Sequence, residues 1–431
     1  MENLKMTETS DKSELEYRNQ KGRYPWWVKI VDNITIETDK EQTKRPDIKK
    51  STALYSRNTQ RADYETFMQD SPEIGLKYHF GRDKMTALWH KKWGRTKSTI
   101  QENKPGHSLR DWAFFYATYG NFLGFDFDLD EITKKTQYVN LVERLGVEPW
   151  QGSKQEASDM IESVGKTLGA SQIGITSIDP QIQFEGTKKI PEEMKYAISI
   201  VSHWAPEGIK RMDTPLGNVS IRSAWLRMES ATWGLKNYIR GLGYEAMTLP
   251  APGPAYAVMA GLGELGRTNR LVSPVFGTTM NLSTLATDMP LALDKPIDFG
   301  LQGFCKRCKK CAEKCPVGAP SMEDEPSWET RGEWNAPGKK VYFEDAPKCA
   351  NYCFSHNSSC AICFAVCPWT KQNKTVLHHF SKAMSAKLPF ATKFMVKMDD
   401  IFGYGPTKDP KTLEEWWKLD LPTMGIDTKR Q

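Results

Sequence analysis

All nine cysteines of this 431-residue chain lie between positions 305 and 367, and their spacing is that of a metal-cluster protein. The first four fit C-x2-C-x2-C-x3-C-P, and the last three repeat its end as C-x2-C-x3-C-P. Bacterial proteins use this pattern to hold [4Fe–4S] clusters. Three thiolates on one tight loop can cap three irons of a cube, while the fourth, carried off by the turn at the proline, must reach a different cube.

This spacing predicts two clusters with crossed ligation, which we call cluster 1 and cluster 2. The expected ligands of cluster 1 are Cys305, Cys308, Cys311 and Cys367. The expected ligands of cluster 2 are Cys315, Cys360 and Cys363, with either Cys349 or Cys353 as the fourth. Zinc sites rarely use two C-x3-C-P endings, and a disulfide framework would scatter its cysteines through a chain this long. Two [4Fe–4S] clusters are therefore favoured over zinc and over disulfides.

The overall composition is that of a folded protein with no sign of a nucleic-acid partner. Hydrophobic residues make up 39% of the chain and 14 residues are tryptophan, enough for one large decorated domain or for two or three smaller ones. The net charge of +6 is small for this length, and no basic block alternates with aromatic residues. No apolar run approaches the roughly 18 residues of a membrane-spanning helix.

The N-terminal segment carries neither a hydrophobic signal core nor a twin-arginine pair. We therefore expect either a cytoplasmic protein or a mature form from which a leader has been removed.

Four regions differ in their residue patterns. Residues 1–150 are predicted to be an N-terminal arm followed by a helical and aromatic wrap, and residues 151–300 an α/β core. Residues 301–375 hold the cysteines, and residues 376–431 form a helical, aromatic tail that is expected to pack on the core. Within the core, periodicity predicts helices over 154–169 and 223–243 and strands over 172–178, 196–204 and 280–290.

A glycine-rich stretch precedes the third predicted strand. Glycines at 253, 261, 263 and 266 would let the backbone approach a flat or phosphorylated ligand closely. The segment GLGELG follows no clear strand–helix order, so it is not predicted to be a nucleotide site.

Several segments together resemble the corrinoid iron–sulfur reductive dehalogenases. They are LGY (242–244), AGLGELGR (260–267), DMPLALDKPIDFG (288–300), the two cysteine runs and MDDIFGYG (398–405). The likeness extends from about residue 150 to the C-terminus. It implies an α/β, or α+β, nitroreductase-like core that holds a base-off cobamide, with a ferredoxin-like insert for two [4Fe–4S] clusters. The implied reaction replaces a carbon-bound halogen by hydrogen, with electrons relayed through the clusters to cobalt.

The histidines agree with a cobalt that has no protein ligand. None of the seven lies in a D-x-H-x-x-G setting, the familiar cobalt-ligating motif. A cobalt with its own base pulled away would leave one face open to substrate, and the protein would position the halocarbon and exclude water.

The resemblance also implies catalytic residues. The proton-donating tyrosine of the family aligns with Trp225, and its supporting arginine aligns with Asn281. An indole cannot act as a general acid near neutral pH, so another group or water must supply the proton. Arg222, Tyr256 and His203 are the candidates in the chain.

Binding residues follow from the same resemblance. The cobamide is expected to contact Gly253, Gly261, Gly263, Met289 and Pro290. The substrate pocket is expected to contain Trp225, Ile221, Cys353 and Ser359. In the family an aromatic residue follows the upstream cluster cysteine by four positions, which makes Cys349 the ligand and puts Cys353 in the place of the aromatic. A pocket poor in proton donors favours small polychlorinated alkanes over phenols.

The resemblance also implies protein partners and a cellular location. A small membrane anchor protein and a low-potential electron donor are expected, and oligomers are possible. Twin-arginine export of a precursor would place the enzyme at the outer face of the cytoplasmic membrane, in a peripheral position.

Two alternative functions remain open. An epoxyqueuosine-reductase-like enzyme would also join a corrinoid to paired clusters, but it would act on tRNA. It would need a more basic groove and an acidic proton donor after the second core strand, where SHWAPEG (202–208) offers none at the matching place. A plain electron-transfer protein is the other alternative, although the roughly 300 residues before Cys305 exceed what a two-cluster ferredoxin needs.

Overall fold

The computed structural model describes residues 15–44, 98–99, 102, 104–107, 148–184, 187, 189–355, 360–371, 382–384, 391–407 and 409–426. The strands are β1 (Lys29–Ile30), β2 (Gln172–Ser177), β3 (Tyr196–His203), β4 (Ala246–Thr248), β5 (Glu264–Leu265), β6 (Leu271–Val272), β7 (Met280–Thr287) and β8 (Ile297–Asp298). The α-helices are α1 (Lys154–Thr167), α2 (Pro206–Ile209), α3 (Pro215–Gly241), α4 (Gly253–Met259), α5 (Leu301–Arg307), α6 (Lys310–Glu313), α7 (Ala346–Ser355), α8 (Ile362–Ala365), α9 (Ala391–Ile401) and α10 (Pro410–Glu414).

A four-stranded sheet in the order β2-β3-β7-β4 forms the centre of the fold. All three strand pairings within it are antiparallel. Ile173 lies opposite Ile200 and Ile175 opposite Ile198, so the buried branched side chains pair across the first two strands. The three strands predicted from sequence are confirmed as β2, β3 and β7. The mixed helix and sheet class is also confirmed, and the antiparallel pairing makes α+β the fitting description.

The two predicted core helices are confirmed, one of them with a wrong start. Helix α1 begins at a capping box formed by Ser153 and Glu156, as its sequence pattern indicates. Helix α3 begins at Pro215, eight residues before the predicted start. The Thr214 side chain accepts a hydrogen bond from Gly217 N at 3.1 Å, and proline suits the first helical position because its φ is already helical. The prediction overlooked this Thr-Pro signal.

The segment 15–44 lies against the core through a buried ion network. The Asp294 carboxylate accepts hydrogen bonds from the Arg18 and Arg23 guanidinium groups and from Ile175 N of β2. Asp294 thereby links the segment to the sheet. Trp27 packs against Trp369, with ring centroids 5.9 Å apart. The arm therefore contacts both the sheet and the region that carries the cysteines.

The described tail residues also pack on the body. Lys310, in the cysteine region, forms an ion pair with Asp399 of α9. The Arg211 guanidinium lies over the Trp416 ring at 5.3 Å and donates a hydrogen bond to Thr412 O at 2.8 Å. The region boundaries at 150, 300 and 375 stay predictions. Among the residues that the structure describes, no helix is both long enough and apolar enough to cross a bilayer.

The Asp294 network leads to a stability prediction. Replacing Asp294 by Asn leaves the buried Arg18 and Arg23 groups without their shared anion, so we expect the free energy of unfolding to fall by about 3 kcal/mol. Asp32→Asn is the matched control, because the Asp32 side chain is 81% exposed in its pair with Lys295 and should contribute less than about 1 kcal/mol. Equilibrium urea unfolding under anaerobic conditions measures both; equal, small losses would contradict the proposed importance of the network.

Candidate active site and cluster-binding loops

The four predicted ligands of cluster 1 lie together. Cys305 is on α5, Cys308 directly follows α5, Cys311 is on α6, and Cys367 precedes the turn at Pro368. Each of the four thiols is close enough to influence the charge of others in the group. Burial raises the pKa of the Cys308 thiol to about 12 and that of Cys367 to about 11. Such thiols favour the protonated form without metal, and binding of a metal by the sulfurs would release their protons.

Backbone N–H groups point at these sulfurs. The N–H of Lys310 is hydrogen-bonded to the Cys308 sulfur, and those of Trp369 and Thr370 to the Cys367 sulfur. Hydrogen bonds of this kind stabilise thiolates and help set the reduction potential of a cluster. The group therefore fits a thiolate-bound cluster in its chemistry as well as in its sulfur count.

Two residues of the segment GLGELGR hold the loop that carries these cysteines. The Glu264 carboxylate accepts hydrogen bonds from Phe299 N and Leu301 N at the start of α5, and burial raises its pKa to about 7. The Arg267 guanidinium donates to the carbonyl groups of Cys305 and Cys308. Sequence reasoning noted the glycines of this segment and missed both charged residues, although a Glu and an Arg inside an otherwise apolar stretch were a visible signal.

The predicted ligands of cluster 2 line one pocket. Its empty volume is about 520 Å³, open solvent at the mouth included, and Thr268, Arg270 and Glu344 share its wall with the cysteines. Ala319 N donates a hydrogen bond to the Cys315 sulfur at 3.4 Å. The cysteines of this wall are Cys315, Cys349, Cys360 and Cys363.

The two groups of cysteines are neighbours. Cys363, on the pocket wall, is close enough to Cys311 for their charges to interact. In the described part of the chain no three His, Cys, Asp or Glu side chains converge closely enough to hold a single metal ion. The two groups of sulfurs are therefore adjacent in the fold.

Cys353 lies against two of the predicted cluster 2 ligands. Its side chain is within hydrogen-bonding distance of Cys349 and of Cys360. It is not among the residues that line the pocket of the other four cysteines. Its expected place at the substrate pocket stays a prediction. Its position beside Cys349 and Cys360 keeps it a candidate for the fourth ligand of cluster 2.

Trp225 and Ile221 share a core cluster with Trp204 and Phe364, two residues that the sequence did not suggest, and Asn281 is hydrogen-bonded to this cluster. Asn281 donates from Nδ2 to Ile221 O at 2.9 Å and accepts at Oδ1 from Trp204 Nε1 at 3.0 Å. The Trp204 ring in turn lies 5.3 Å from the ring of Phe364. We call these five residues the tryptophan site. Because Phe364 directly follows Cys363, the site adjoins the cluster 2 loop.

A buried hydroxyl group completes this region. Ser202 lies opposite Asn281 in the β3–β7 register, on the same face of β3 as Ile200. Its Oγ has no hydrogen-bond partner among the described residues. An apolar wall with one unsatisfied hydroxyl fits a large ligand that has apolar faces and polar edges, as a corrinoid has. A polar residue near the end of an apolar strand was the sequence signal for it.

The other candidate proton donors are engaged elsewhere. The Tyr256 hydroxyl donates to Asp179 O at 2.9 Å and accepts from Asp179 N at 3.2 Å, in a core cluster separate from that of Trp225. His203 Nδ1 is 2.6 Å from Ser171 Oγ, and its ring stacks on Phe276. Burial, helped by the Arg227 charge, lowers the pKa of His203 to about 3. A neutral imidazole at physiological pH is a poor acid.

The remaining predicted residues are Arg222, a candidate proton donor, and Ser359, a candidate pocket residue. Arg222 is buried on α3 between Ile221 and Trp225. Ser359, predicted for the substrate pocket, lies outside the described residues.

The predicted cobamide contacts are only partly near the tryptophan site. Met289 is fully buried in the same core cluster as Trp225, whereas Pro290 is exposed and Gly253 opens helix α4. A Cβ added at Gly261 would lie 2.2 Å from Lys295 O, and one at Gly263 would lie 2.2 Å from Val272 O. The close approach that these two glycines permit is thus an approach to the chain's own backbone.

No family model matches the chain. The tetrachloroethene reductive dehalogenase of Sulfurospirillum multivorans is 37% identical over 196 residues, which is 45% of this chain and 38% of that protein. In general the chain spans between 34% and 58% of the length of the curated reductive dehalogenases that it matches.

Among solved structures, the catabolic reductive dehalogenase NpRdhA superposes with a TM-score of 0.64 at 22% identity, over 93% of this chain and 52% of that one. Identity at this level speaks for a shared fold. An epoxyqueuosine reductase from Lactococcus garvieae is 30% identical over 136 residues, only 30% of this chain, so the tRNA-modifying alternative fits less well. The chain is thus a homologue of curated reductive dehalogenases over about 200 residues, and it shares the fold of a solved reductive dehalogenase.

Proposed function

We propose that this protein catalyses the reductive dehalogenation of a small organohalide, replacing halogen by hydrogen. The single observation that carries the proposal is the contact between the loop of cluster 2 and the tryptophan site, through Phe364 and Trp204. It gives electrons a short path from paired clusters to the core. The proposed cofactors are two [4Fe–4S] clusters, in a ferredoxin-like insert at 301–375, and a base-off cobamide, in a nitroreductase-like core at 151–300.

When bound, the cobamide would supply the strongly reducing metal centre that breaks the carbon–halogen bond. The residues proposed to flank it on this chain are Met289, Ser202 and the tryptophan site. Apolar side chains here would exclude water and hold the carbon skeleton in place. The Asn281 amide is fixed by its two hydrogen bonds, so it would orient the neighbouring indole and helix backbone rather than transfer a proton.

The composition of the tryptophan site favours one class of substrate. It brings together two indoles, a phenyl ring and an aliphatic side chain, and its polar group, Asn281, is already paired on both sides. With Ser202 assigned to the cobamide, a phenolic hydroxyl buried there would find the Asn281 amide already engaged, which disfavours phenols. We therefore propose a small polychlorinated alkane, whose carbon can lose halide after electron transfer and take its proton later from water.

The partners and the location are proposed from family resemblance. They are a low-potential electron donor and a small membrane anchor protein, with the enzyme at the outer face of the cytoplasmic membrane after twin-arginine export of a precursor. The alternative of electron transfer as the whole function is separated from this proposal by whether the anaerobically prepared protein binds cobamide.

Chloride release tests the function and the substrate class together. Enzyme reconstituted with both cofactors and a low-potential reductant should release chloride from a trichloroethane faster than from a chlorophenol. Trp225→Tyr places an acidic hydroxyl in the site, so the kcat/KM for the chlorophenol should rise at least tenfold. Trp233→Tyr, on the exposed side of the same helix, is the control and should change neither rate.

Two results would count against these proposals in different ways. Preference of the unmodified enzyme for the chlorophenol would contradict the substrate class alone. Absence of chloride release from either compound, with both cofactors bound, would contradict the function.

Alanine substitutions at Cys349 and Cys353 should show which of the two cysteines binds cluster 2. Cys349→Ala removes a proposed cluster 2 ligand, so iron content should fall from about eight to about four per chain, with loss of chloride release. Cys353→Ala should keep about eight irons, because Cys353 does not line the pocket. Iron analysis and electron paramagnetic resonance (EPR) measure both variants; the reverse order of iron loss would assign the ligand to Cys353.

His203 should act on stability rather than on proton supply. Its pKa is about 3 in the folded protein and about 6.5 when unfolded, so between these values the unfolded chain binds more protons. Stability should therefore fall as pH decreases below about 6.5, by about 2 kcal/mol at pH 5 from this residue alone. Urea unfolding at pH 7 and pH 5 should show a smaller loss for His203→Gln; identical losses in both proteins would disprove the assignment.

A further inference from the structure

Arg267 is a buried cation whose hydrogen bonds all end on neutral groups. Its side chain, at the end of GLGELGR, is 1% exposed. Nε and Nη2 donate to Cys305 O at 3.0 and 2.6 Å, and Nε also donates to Cys308 O at 3.2 Å. Nη1 donates to Ser321 O at 2.9 Å and to Glu323 O at 2.6 Å. The guanidinium lies over the Tyr342 ring, 4.1 Å from its centroid.

No carboxylate neutralises this charge among the described residues. The ion pairs of that part of the chain do not include Arg267, and the nearby Asp324 carboxylate is 83% exposed and paired with Lys309. Lys310 differs, because Asp399 and Asp400 are its partners. Lys382, near Cys367, is like Arg267: it is buried, donates to Pro274 O at 3.4 Å and forms no ion pair with a carboxylate among the described residues. An arginine cannot shed its proton, so a permanent charge here costs several kcal/mol unless an anion lies close by.

The cluster 2 pocket holds an arginine in the opposite situation. Arg270 Nη1 lies 2.6 Å from the Glu344 carboxylate, and both residues line the pocket of the four cysteines. The positive charge of Arg270 beside cluster 2 is therefore neutralised within the protein, whereas that of Arg267 beside cluster 1 is not.

A cube held by four thiolates is an anion and becomes more negative when it is reduced. We propose that Arg267 is the counter-ion of cluster 1 and raises its reduction potential above that of cluster 2. Arg267 is a positioning residue in this account, since it reaches the cluster through the loop that binds it. This inference rests on the proposed function only in requiring the two clusters.

The consequence is a fixed order in which the two clusters accept electrons. Cluster 1 would accept the first electron and hold it until cluster 2, the stronger reductant, has been oxidised; cluster 2 adjoins the tryptophan site through Phe364. Each substrate needs two electrons to exchange halogen for hydrogen, so a filled store next to the delivering cluster supplies the second one without waiting for an external donor.

Redox titrations monitored by EPR test the proposal on the protein with its clusters. The signal of cluster 1 is identified in a Cys315→Ala variant, which should lack cluster 2. In Arg267→Gln the ratio of oxidised to reduced cluster 1 at a fixed potential should rise at least tenfold, a shift of about 59 mV to lower potential for one electron. Cluster 2 should not change. Arg307→Gln, an exposed residue on the same α5 helix, is the control and should leave both potentials unchanged.

Two more variants separate charge from structure. Arg267→Lys keeps the charge but loses the forked hydrogen bonds, so the cluster 1 potential should stay near that of the unmodified protein. Glu344→Gln frees the Arg270 charge and should raise the potential of cluster 2, a test that does not touch the Arg267 site. Equal shifts in the Gln and Lys variants, or an unchanged cluster 2 in Glu344→Gln, would overturn the proposal. Fewer than about eight irons in the unmodified protein would overturn both this proposal and the proposed function, whereas eight irons with unshifted potentials would overturn this proposal alone.

Discussion

Positive charge held against buried sulfur is the interaction on which the rest of this structure depends. Thiolates are stable in a protein interior only when cations and N–H groups surround them. The chain supplies both: Arg267 binds the carbonyls of the cysteine loop from one side, and backbone N–H groups reach the sulfurs of Cys308 and Cys367. Together with the packing of Phe304 against Trp369, these contacts give the cysteine region a defined shape.

The remaining parts of the chain keep that region in place against the sheet. Lys310 and Lys371 share Asp399, which connects the cysteine region to helix α9. On the other side, Trp27 of the N-terminal segment packs on Trp369, next to the Cys367 turn. Segments far apart in sequence thus enclose the cysteines and shield their charges from water, which strengthens every electrostatic interaction inside.

The tryptophan site combines close packing with a shortage of acids. Asn281 is hydrogen-bonded to Ile221 and Trp204, and the Tyr256 hydroxyl is hydrogen-bonded to Asp179. Burial lowers the pKa of His203 and keeps its imidazole neutral. Such a site holds an apolar substrate well and offers it no proton. In the proposed reaction the chemistry would be left to the cobamide, and the protein would position the substrate, exclude water and supply electrons.

Local patterns in the sequence were sufficient for the cysteine spacing, the helix over 154–167 and the three long strands, because each is set by neighbours along the chain. Trp225 and Asn281 could be named from resemblance, but the hydrogen bond of Asn281 to Trp204, in the core cluster that holds Trp225, depends on the β3–β7 register. The early start of α3 was readable at Thr214 and Pro215 and was overlooked. Gly261 and Gly263 were assigned to a ligand because glycine permits close approach, while only the fold reveals that Lys295 and Val272 make that approach.

The sequence by itself determined which atoms could bind iron, since ligand type and spacing are covalent properties of one short stretch. Only the tertiary structure decided which cations stand beside those atoms and whether a carboxylate neutralises them. Arg267 and Arg270 are three residues apart, yet one lies among carbonyls and the other against Glu344, because charge balance depends on distance in space and not on position along the chain.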